Sequence, residues 1–116
     1  MIIIGEKING SIPSVARAIE SRDEAHIRRL ARRQAEAGAH YIDICASVDC
    51  DIEIETMKWL IDIVQDTVDT PICIDSPNPH TCVACIPYCN KEGIINSVSL
   101  EGDKIETVFP AIANTG

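Results

Sequence analysis

At 116 residues the chain suits one modest domain, and it is 46% hydrophobic but only 3% aromatic. Its formal net charge of −8 disfavours nucleic acid as a partner, because phosphate binding needs a basic surface. No run approaches the roughly 20 apolar residues that span a bilayer, and the opening MIII run is too short for a signal peptide. Six cysteines without an export signal indicate reduced thiols, so we expect a cytoplasmic protein with no membrane partner.

The chain opens with a short apolar run that predicts a first strand at residues 2–5. This run ends at Glu6, and Asn9 follows beside a glycine. The next segment, at about residues 14–20, predicts a short helix because its apolar side chains recur at three- and four-residue spacing. The order predicts one βα unit, with Glu6 and Asn9 near the end of its strand.

A longer helix is predicted at about residues 24–37, where Asp23 is a suitable N-cap and Gly38 a suitable terminator. The apolar segment AHYIDIC follows and predicts a second strand that closes on Asp43. Buried parallel strands have such continuous apolar runs, because both of their faces are covered. We therefore expect the second unit to place a carboxylate at the end of its strand.

A third helix is indicated by an apolar stripe at helical spacing, formed by Ile54, Met57, Ile61, Val64 and Val68. Pro71 limits this helix, because the residue before a proline leaves the helical region. The third strand, residues 72–74, closes on Asp75. A further helix is predicted from Pro79 or His80 to Tyr88.

The fourth strand, residues 94–95, closes on Asn96. Asp103 is an N-cap candidate for a last helix, whose apolar residues would be Ile105, Val108, Phe109 and Ile112. The resulting order, β-α-β-α-β-α-β-α, predicts an α/β fold with a parallel sheet and helical crossovers. Ligand sites in such folds gather at the carboxyl ends of the strands. The polar residues that end the four strands, Glu6, Asp43, Asp75 and Asn96, are therefore expected to share one edge of the sheet.

Three cysteines, Cys82, Cys85 and Cys89, have a spacing that also occurs in metal or iron–sulfur sites. The same spacing places them on one face of a helix, where cysteine packs as a small hydrophobic residue. We favour core packing and predict no metal site. The three histidines are scattered without ligand spacing, and none is assigned a catalytic role.

Three segments together carry a family resemblance: IIGEKING, TMKWLIDIVQDTVDTPICIDSPN and GIINSVSLEGDK. They resemble the pterin-binding (β/α)8 barrels, and most of all the methyltetrahydrofolate:corrinoid protein methyltransferases. The resemblance extends over essentially the whole chain and covers the N-terminal half of the family's barrel. It implies that residues 1–116 are four βα units of a TIM barrel, a half-barrel, because a complete barrel needs roughly 250 residues.

The resemblance also implies roles for individual residues. In the family, the Asp of the third strand and the Asn of the fourth hydrogen-bond the pterin ring, which implies this role for Asp75 and Asn96. A carboxylate accepts from the ring's donors, and an amide both donates and accepts. Glu6, Asn9 and Asp43 are at matching strand ends and are expected to support the pocket or contact the ring less directly. Ser97 is a weaker neighbour candidate.

The implied reaction moves a methyl group from 5-methyltetrahydrofolate to a cob(I)amide, the cobalamin-type cofactor of a corrinoid partner protein. The family's remaining pterin-binding Asp and the Asn that faces the methyl-bearing nitrogen come from the second half of the barrel, outside this chain. We therefore expect a truncated or incomplete form. Two alternatives stay open. One is an enzyme similar to dihydropteroate synthase, and the other is a non-catalytic half-barrel that pairs with a second copy or with a complementary half.

Overall fold

The computed structural model describes residues 3–90, 93–98 and 104–109, and for residues 94–98 and 104–109 it describes the backbone. These segments form one five-stranded sheet with helices. The strands are β1 Ile4–Asn9, β2 Tyr41–Cys45, β3 Ile72–Asp75, β4 Gly93–Val98 and β5 Lys104–Phe109. The helices are α1 Pro13–Ser21, α2 Glu24–Glu36, α3 Cys50–Thr67 and α4 Pro79–Cys85, and α4 continues into a 3₁₀ turn at Ile86–Tyr88.

The sheet has the strand order β1-β2-β3-β4-β5, and its first four strands are parallel. Each parallel strand is therefore a neighbour of the next one along the chain. Helices α2, α3 and α4 pack against the strands that precede them, and α1 to α4 contact one another in order. Such a sheet is wound in one direction, because right-handed crossovers all place their helices on the same face. This confirms an α/β fold with parallel strands.

The hydrophobic core lies between the sheet and the helices. Its strand contribution comes from alternate isoleucines, namely Ile8, Ile42, Ile44, Ile72 and Ile74. The helices contribute Val15, Ile27, Met57, Leu60 and Val64 to the same cluster. Because side chains alternate between the faces of a strand, the residues between these isoleucines face away from the core. Among the described helices, none is long and apolar enough to cross a membrane.

The predicted ends of α2 are confirmed in their chemistry. The Asp23 side chain accepts a hydrogen bond from the His26 backbone N–H at 3.2 Å, which satisfies one of the free donors of the first turn. Past the other end, Gly38 has φ +96°, a conformation that glycine adopts without strain.

The first strand is longer than predicted, and the bounds at residues 2–5 were wrong. Strand β1 continues through Glu6 and Lys7 to Asn9, and its register with β2 shifts between Gly5 and Ile8. The Lys7 N–H donates instead to Gln34 Oε1 of α2 at 2.9 Å. A bulge with a side-chain acceptor lets the strand pass through two charged residues, which the apolar pattern alone treats as its end.

The predicted last helix after Asp103 was wrong, and with it the fourth complete βα unit. Residues Lys104–Phe109 form β5, which pairs antiparallel with β4. The segment KIETVF is rich in β-branched and aromatic residues, which favour strands, and backbone pairing with β4 outweighs its helical spacing. Ile112, assigned to the same helix, lies outside the described residues. The described residues contain three βα units followed by a β4–β5 hairpin.

A close approach between two loops fixes the carboxyl ends of β1 and β2. The Gly10 N–H donates to the Cys45 carbonyl at 2.8 Å, and a Cβ at Gly10 would overlap the Ala46 carbonyl oxygen. Only glycine permits this approach without displacement of the backbone.

We predict that Gly10→Ala lowers the free energy of unfolding by about 2–3 kcal/mol, because a backbone atom must move to admit the methyl group. The matched control is Gly38→Ala, whose Cβ meets nothing within 4 Å, so only the left-handed backbone costs energy, about 1 kcal/mol. Urea denaturation measures both. Equal losses for the two variants would contradict the close approach.

Candidate functional site

The sheet face opposite the core carries a cluster of polar groups near the carboxyl ends of the strands. Asp43 is paired in register with Cys73, and Asp75 is two residues further along β3. These residues alternate with the core isoleucines Ile42, Ile44, Ile72 and Ile74. Parallel pairing thus brings the Asp43 and Asp75 carboxyl groups to one face of the sheet.

Asp43 is a buried acid whose oxygens lack an N–H or hydroxyl donor among the described residues. Asp43 is 2% exposed, and neither of its carboxyl oxygens accepts a hydrogen bond from an N–H or hydroxyl group in the described part of the chain. The thiol of Cys73, its register partner on β3, is a weak donor to this carboxyl group. Its neighbour Asp75 is itself an acceptor, so a hydrogen bond between the two carboxyl groups needs a proton on one of them. Burial of an ionised carboxylate without hydrogen-bond donors is unfavourable by several kcal/mol. Burial therefore favours the protonated form of such a group.

The pKa of Asp43 is accordingly raised from 3.8 to about 8. Burial is the largest cause, followed by hydrogen bonding to Asp75 and the negative charge of Asp75. A hydrogen bond from the Cys73 thiol opposes the rise, and the charge of Glu6 adds a smaller increase. At neutral pH Asp43 is therefore mainly protonated. The site then presents an O–H donor from Asp43 next to a second carboxyl group.

The loop after β3 is held by a second buried acid, Glu53, in the first turn of α3. Glu53 is 4% exposed, and each of its carboxylate oxygens accepts a hydroxyl hydrogen bond. Ser76 Oγ donates at 2.6 Å and Thr81 Oγ1 at 2.7 Å. The apolar stripe predicted from the sequence placed Ile54 on the buried face of α3 and gave Glu53 no role. In the structure Glu53 is buried and Ile54 is half-buried.

Asn9 has a local structural role in the described contacts. It is the last residue of β1, and its Oδ1 accepts from the Ser11 N–H at 2.9 Å and the Ser11 hydroxyl at 2.8 Å. This Asx-type turn directs the chain toward α1. The side-chain oxygen of Asn9 is thus engaged within the protein.

The remaining predicted site residues are on β1 and β4. Glu6 is exposed and lies within β1 instead of at its end, yet close enough for its charge to raise the pKa of Asp43. The backbone of Asn96 is the register partner of Asp75. Ser97 follows Asn96 and takes the alternate position along β4, in register with Ile105. The side chains of Asn96 and Ser97 lie outside the description.

Cys82, Cys85 and Cys89 are buried in the hydrophobic core, which confirms their predicted packing role. Burial raises the pKa of the Cys82 thiol to about 11 and those of Cys85 and Cys89 to about 12. Such thiols are inert at neutral pH, because the thiolate is the reactive form. In the part of the chain that the structure describes, no group of three or more acidic, cysteine or histidine side chains could hold a metal ion.

Comparison with known proteins identifies the family to which this site belongs. A family model described as pterin binding enzyme matches residues 5–116. The chain belongs to this family. It is 57% identical over 110 residues to a methylcorrinoid:tetrahydrofolate methyltransferase of Eubacterium limosum, an alignment that covers 95% of this chain and 41% of that protein. The resemblance to the corrinoid-linked methyltransferases is thereby confirmed.

A more distant relative is the methionine synthase of Mycobacterium leprae (strain TN), with 29% identity over 111 residues. That alignment covers 94% of this chain and 9% of the relative. The chain thus spans less than half the length of either curated relative.

The raised pKa of Asp43 makes the free energy of unfolding depend on pH, and we predict the direction of that dependence. Because the folded pKa of about 8 exceeds the ordinary 3.8, the native state binds more protons between these values. The free energy of unfolding therefore falls as pH rises from about 4 to about 8. Asp43→Asn, neutral throughout, should remove this fall and exceed the wild type at pH 8.5 by a few kcal/mol, since one pKa unit corresponds to about 1.36 kcal/mol.

Urea denaturation from pH 4 to pH 9 measures this effect. The control is Asp62→Asn on the exposed face of α3, which should follow the wild type. Parallel curves for wild type and Asp43→Asn would show that Asp43 carries no raised pKa.

Proposed function

We propose that this chain supplies the pterin-binding part of a methyltransferase that moves a methyl group between tetrahydrofolate and a corrinoid protein, in the cytoplasm. The observation that carries the proposal is the buried Asp43 carboxyl, which lies beside Asp75 near the carboxyl ends of parallel strands and has no N–H or hydroxyl donor among the described residues. Family membership supports the ligand class, and the 57% identical relative supports the reaction class.

The polar groups of the site fit the edge of a pterin ring. That edge offers ring N–H and amino donors together with carbonyl and ring-nitrogen acceptors. Asp75 can accept from the donors, protonated Asp43 can donate, and an amide at Asn96 can do both. A site whose buried polar groups pair with this edge rejects rings that lack it, because the groups would be left unpaired. We assign Glu6 an electrostatic role and Asn9 and Ser97 supporting roles.

Proton balance supports an acid of this kind in the site. When the methyl group leaves N5 of methyltetrahydrofolate for cob(I)amide, the electron pair of the broken N–C bond stays on the nitrogen, which must gain a proton. In the direction that the relative's name states, from methylcorrinoid to tetrahydrofolate, the nitrogen must lose one. A carboxyl group with a pKa of about 8 suits either direction, because both of its forms are populated near neutral pH.

We predict that Asp75→Ala weakens the binding of methyltetrahydrofolate by the chain at least tenfold, because a hydrogen bond to a charged group contributes about 1.5–3 kcal/mol. Asn96→Ala should weaken binding several-fold for loss of a neutral amide. Calorimetric titration of the purified chain measures the dissociation constants.

The matched control is Asp62→Ala, which removes an equal charge from the exposed face of α3 and should bind as the wild type does. Wild-type binding that survives both site substitutions would disprove the assignment of Asp75 and Asn96. Absence of binding by the wild type would disprove a pterin site in the chain alone.

We also propose that further strands complete this sheet into a barrel, supplied by a complementary half or by a second copy of the chain. In the described residues β1 pairs only with β2, so its other side is an open edge, and open edges favour association. Sedimentation of the purified chain should show a dimer or larger species. A monomer that unfolds cooperatively would contradict pairing with a second copy of the chain.

A further inference from the structure

The two buried acids of the described chain differ in how their oxygens are satisfied. Asp43 has no N–H or hydroxyl donor among the described residues, whereas Glu53 receives one hydroxyl hydrogen bond on each oxygen, from Ser76 and from Thr81. A buried carboxylate that already holds a hydroxyl donor on each oxygen is satisfied within the protein and does not require a ligand. Its contacts instead connect three elements of the chain: the start of α3, the loop after β3 and the start of α4.

The hydrogen bond between Glu53 and Ser76 lies next to the candidate site, because Ser76 directly follows Asp75 in the chain. Both Ser76 and Glu53 are buried, so their 2.6 Å hydrogen bond is shielded from water. Ser76 Oγ also accepts from the Asn78 N–H at 3.0 Å. The chain immediately after Asp75 is thereby held in a tight turn that is fastened to α3.

Helix α4 also contacts Glu53 and the turn that follows Asp75. The Asn78 side chain caps α4 by accepting from the His80 N–H at 3.1 Å. The Cys82 thiol lies 3.8 Å from the Ser76 carbonyl oxygen. Glu53 reaches α4 through Thr81, which is six residues from Asp75. The two hydroxyl partners of Glu53 can therefore be compared, because Ser76 is next to Asp75 in the chain and Thr81 is not.

We propose that Glu53 is a positioning residue for pterin recognition, which fixes Asp75 beside Asp43 through its hydrogen bond to the Ser76 hydroxyl. The ligand-binding part of this inference rests on the proposed function. The geometric part, that the Glu53–Ser76 bond sets the distance between the two aspartates, does not. It is open to measurement without any ligand, because Asp75 contributes to the raised pKa of Asp43.

The experiment compares the full chain with Ser76→Ala, Glu53→Gln and Thr81→Val. Two quantities are measured: the dissociation constant for tetrahydrofolate, by titration, and the pKa of Asp43, by NMR titration of its carboxyl carbon without ligand. Ser76→Ala should weaken binding about tenfold or more, because it removes the hydrogen bond to Glu53 and also the acceptor of the Asn78 N–H. It should also lower the pKa of Asp43, because Asp75 moves away. Glu53→Gln should change both quantities in the same direction by a smaller amount, since the amide keeps one acceptor.

Thr81→Val is the matched control. It removes the other hydroxyl from the same carboxylate and leaves one Glu53 oxygen unpaired, so it should lower stability, by less than Ser76→Ala, which also leaves the Asn78 N–H without its acceptor. Its tetrahydrofolate dissociation constant should stay within about twofold of the wild-type value, because Asp75 is not displaced. For the same reason the pKa of Asp43 should stay close to that of the wild type.

Equal effects of Ser76→Ala and Thr81→Val on both quantities would overturn the inference and leave Glu53 a purely structural residue. No effect of either variant would overturn it as well. If the wild type fails to bind tetrahydrofolate while the pKa of Asp43 still falls only in Ser76→Ala and Glu53→Gln, the positioning role stands and the proposed function fails.

Discussion

The register between β2 and β3 is the constraint on which the rest of the structure depends. It pairs Asp43 with Cys73 and Ile44 with Ile74, so isoleucines face the helices and the acids face away from them. A slip of one residue would reverse the two faces of a strand. Asp43 or Asp75 would then enter the hydrophobic core, at a cost of several kcal/mol for each unpaired charge. Core packing and site assembly are therefore consequences of the same pairing.

The two buried acids show how one fold assigns different tasks to similar groups. Glu53 is surrounded by hydroxyl donors and connects α3 to the loop after β3. Asp43 is buried against another acid without an N–H or hydroxyl donor among the described residues, and this burial and the neighbouring Asp75 raise its pKa. The first arrangement fixes geometry, and the second leaves hydrogen-bonding capacity for a ligand. Neither task follows from the residue type, because both depend on which groups parallel pairing and helix packing bring near.

Sequence patterns predicted the elements whose signal is local, and missed those that depend on pairing. The N-cap at Asp23 and the third strand up to Asp75 were predicted correctly, because capping and apolar runs are properties of neighbouring residues. Strand β5 was missed because its apolar residues also fit helical spacing, and pairing with β4 decides the matter.

Within the site, the meeting of Asp43 and Asp75 on one sheet face could be expected from the order of strands. The role of Glu53 could not, because its partners are 23 and 28 residues away. A buried acid one position before the apparent apolar stripe is detectable only when the helix is packed. The same holds for the raised pKa of Asp43, since burial and a neighbouring charge are properties of the folded chain.

Because Asp43 has a raised pKa, its protonation state can change when a ligand binds. If a bound ring donates hydrogen bonds to Asp43, its ionised form is favoured and its pKa falls, so binding near neutral pH releases a proton. If Asp43 instead donates to a ring acceptor, its protonated form is retained and binding releases none. The fold permits both modes, because the two oxygens of Asp43 are free of N–H and O–H donors among the described residues. The number of protons released therefore tells which edge of the ring the Asp43 carboxyl group reads.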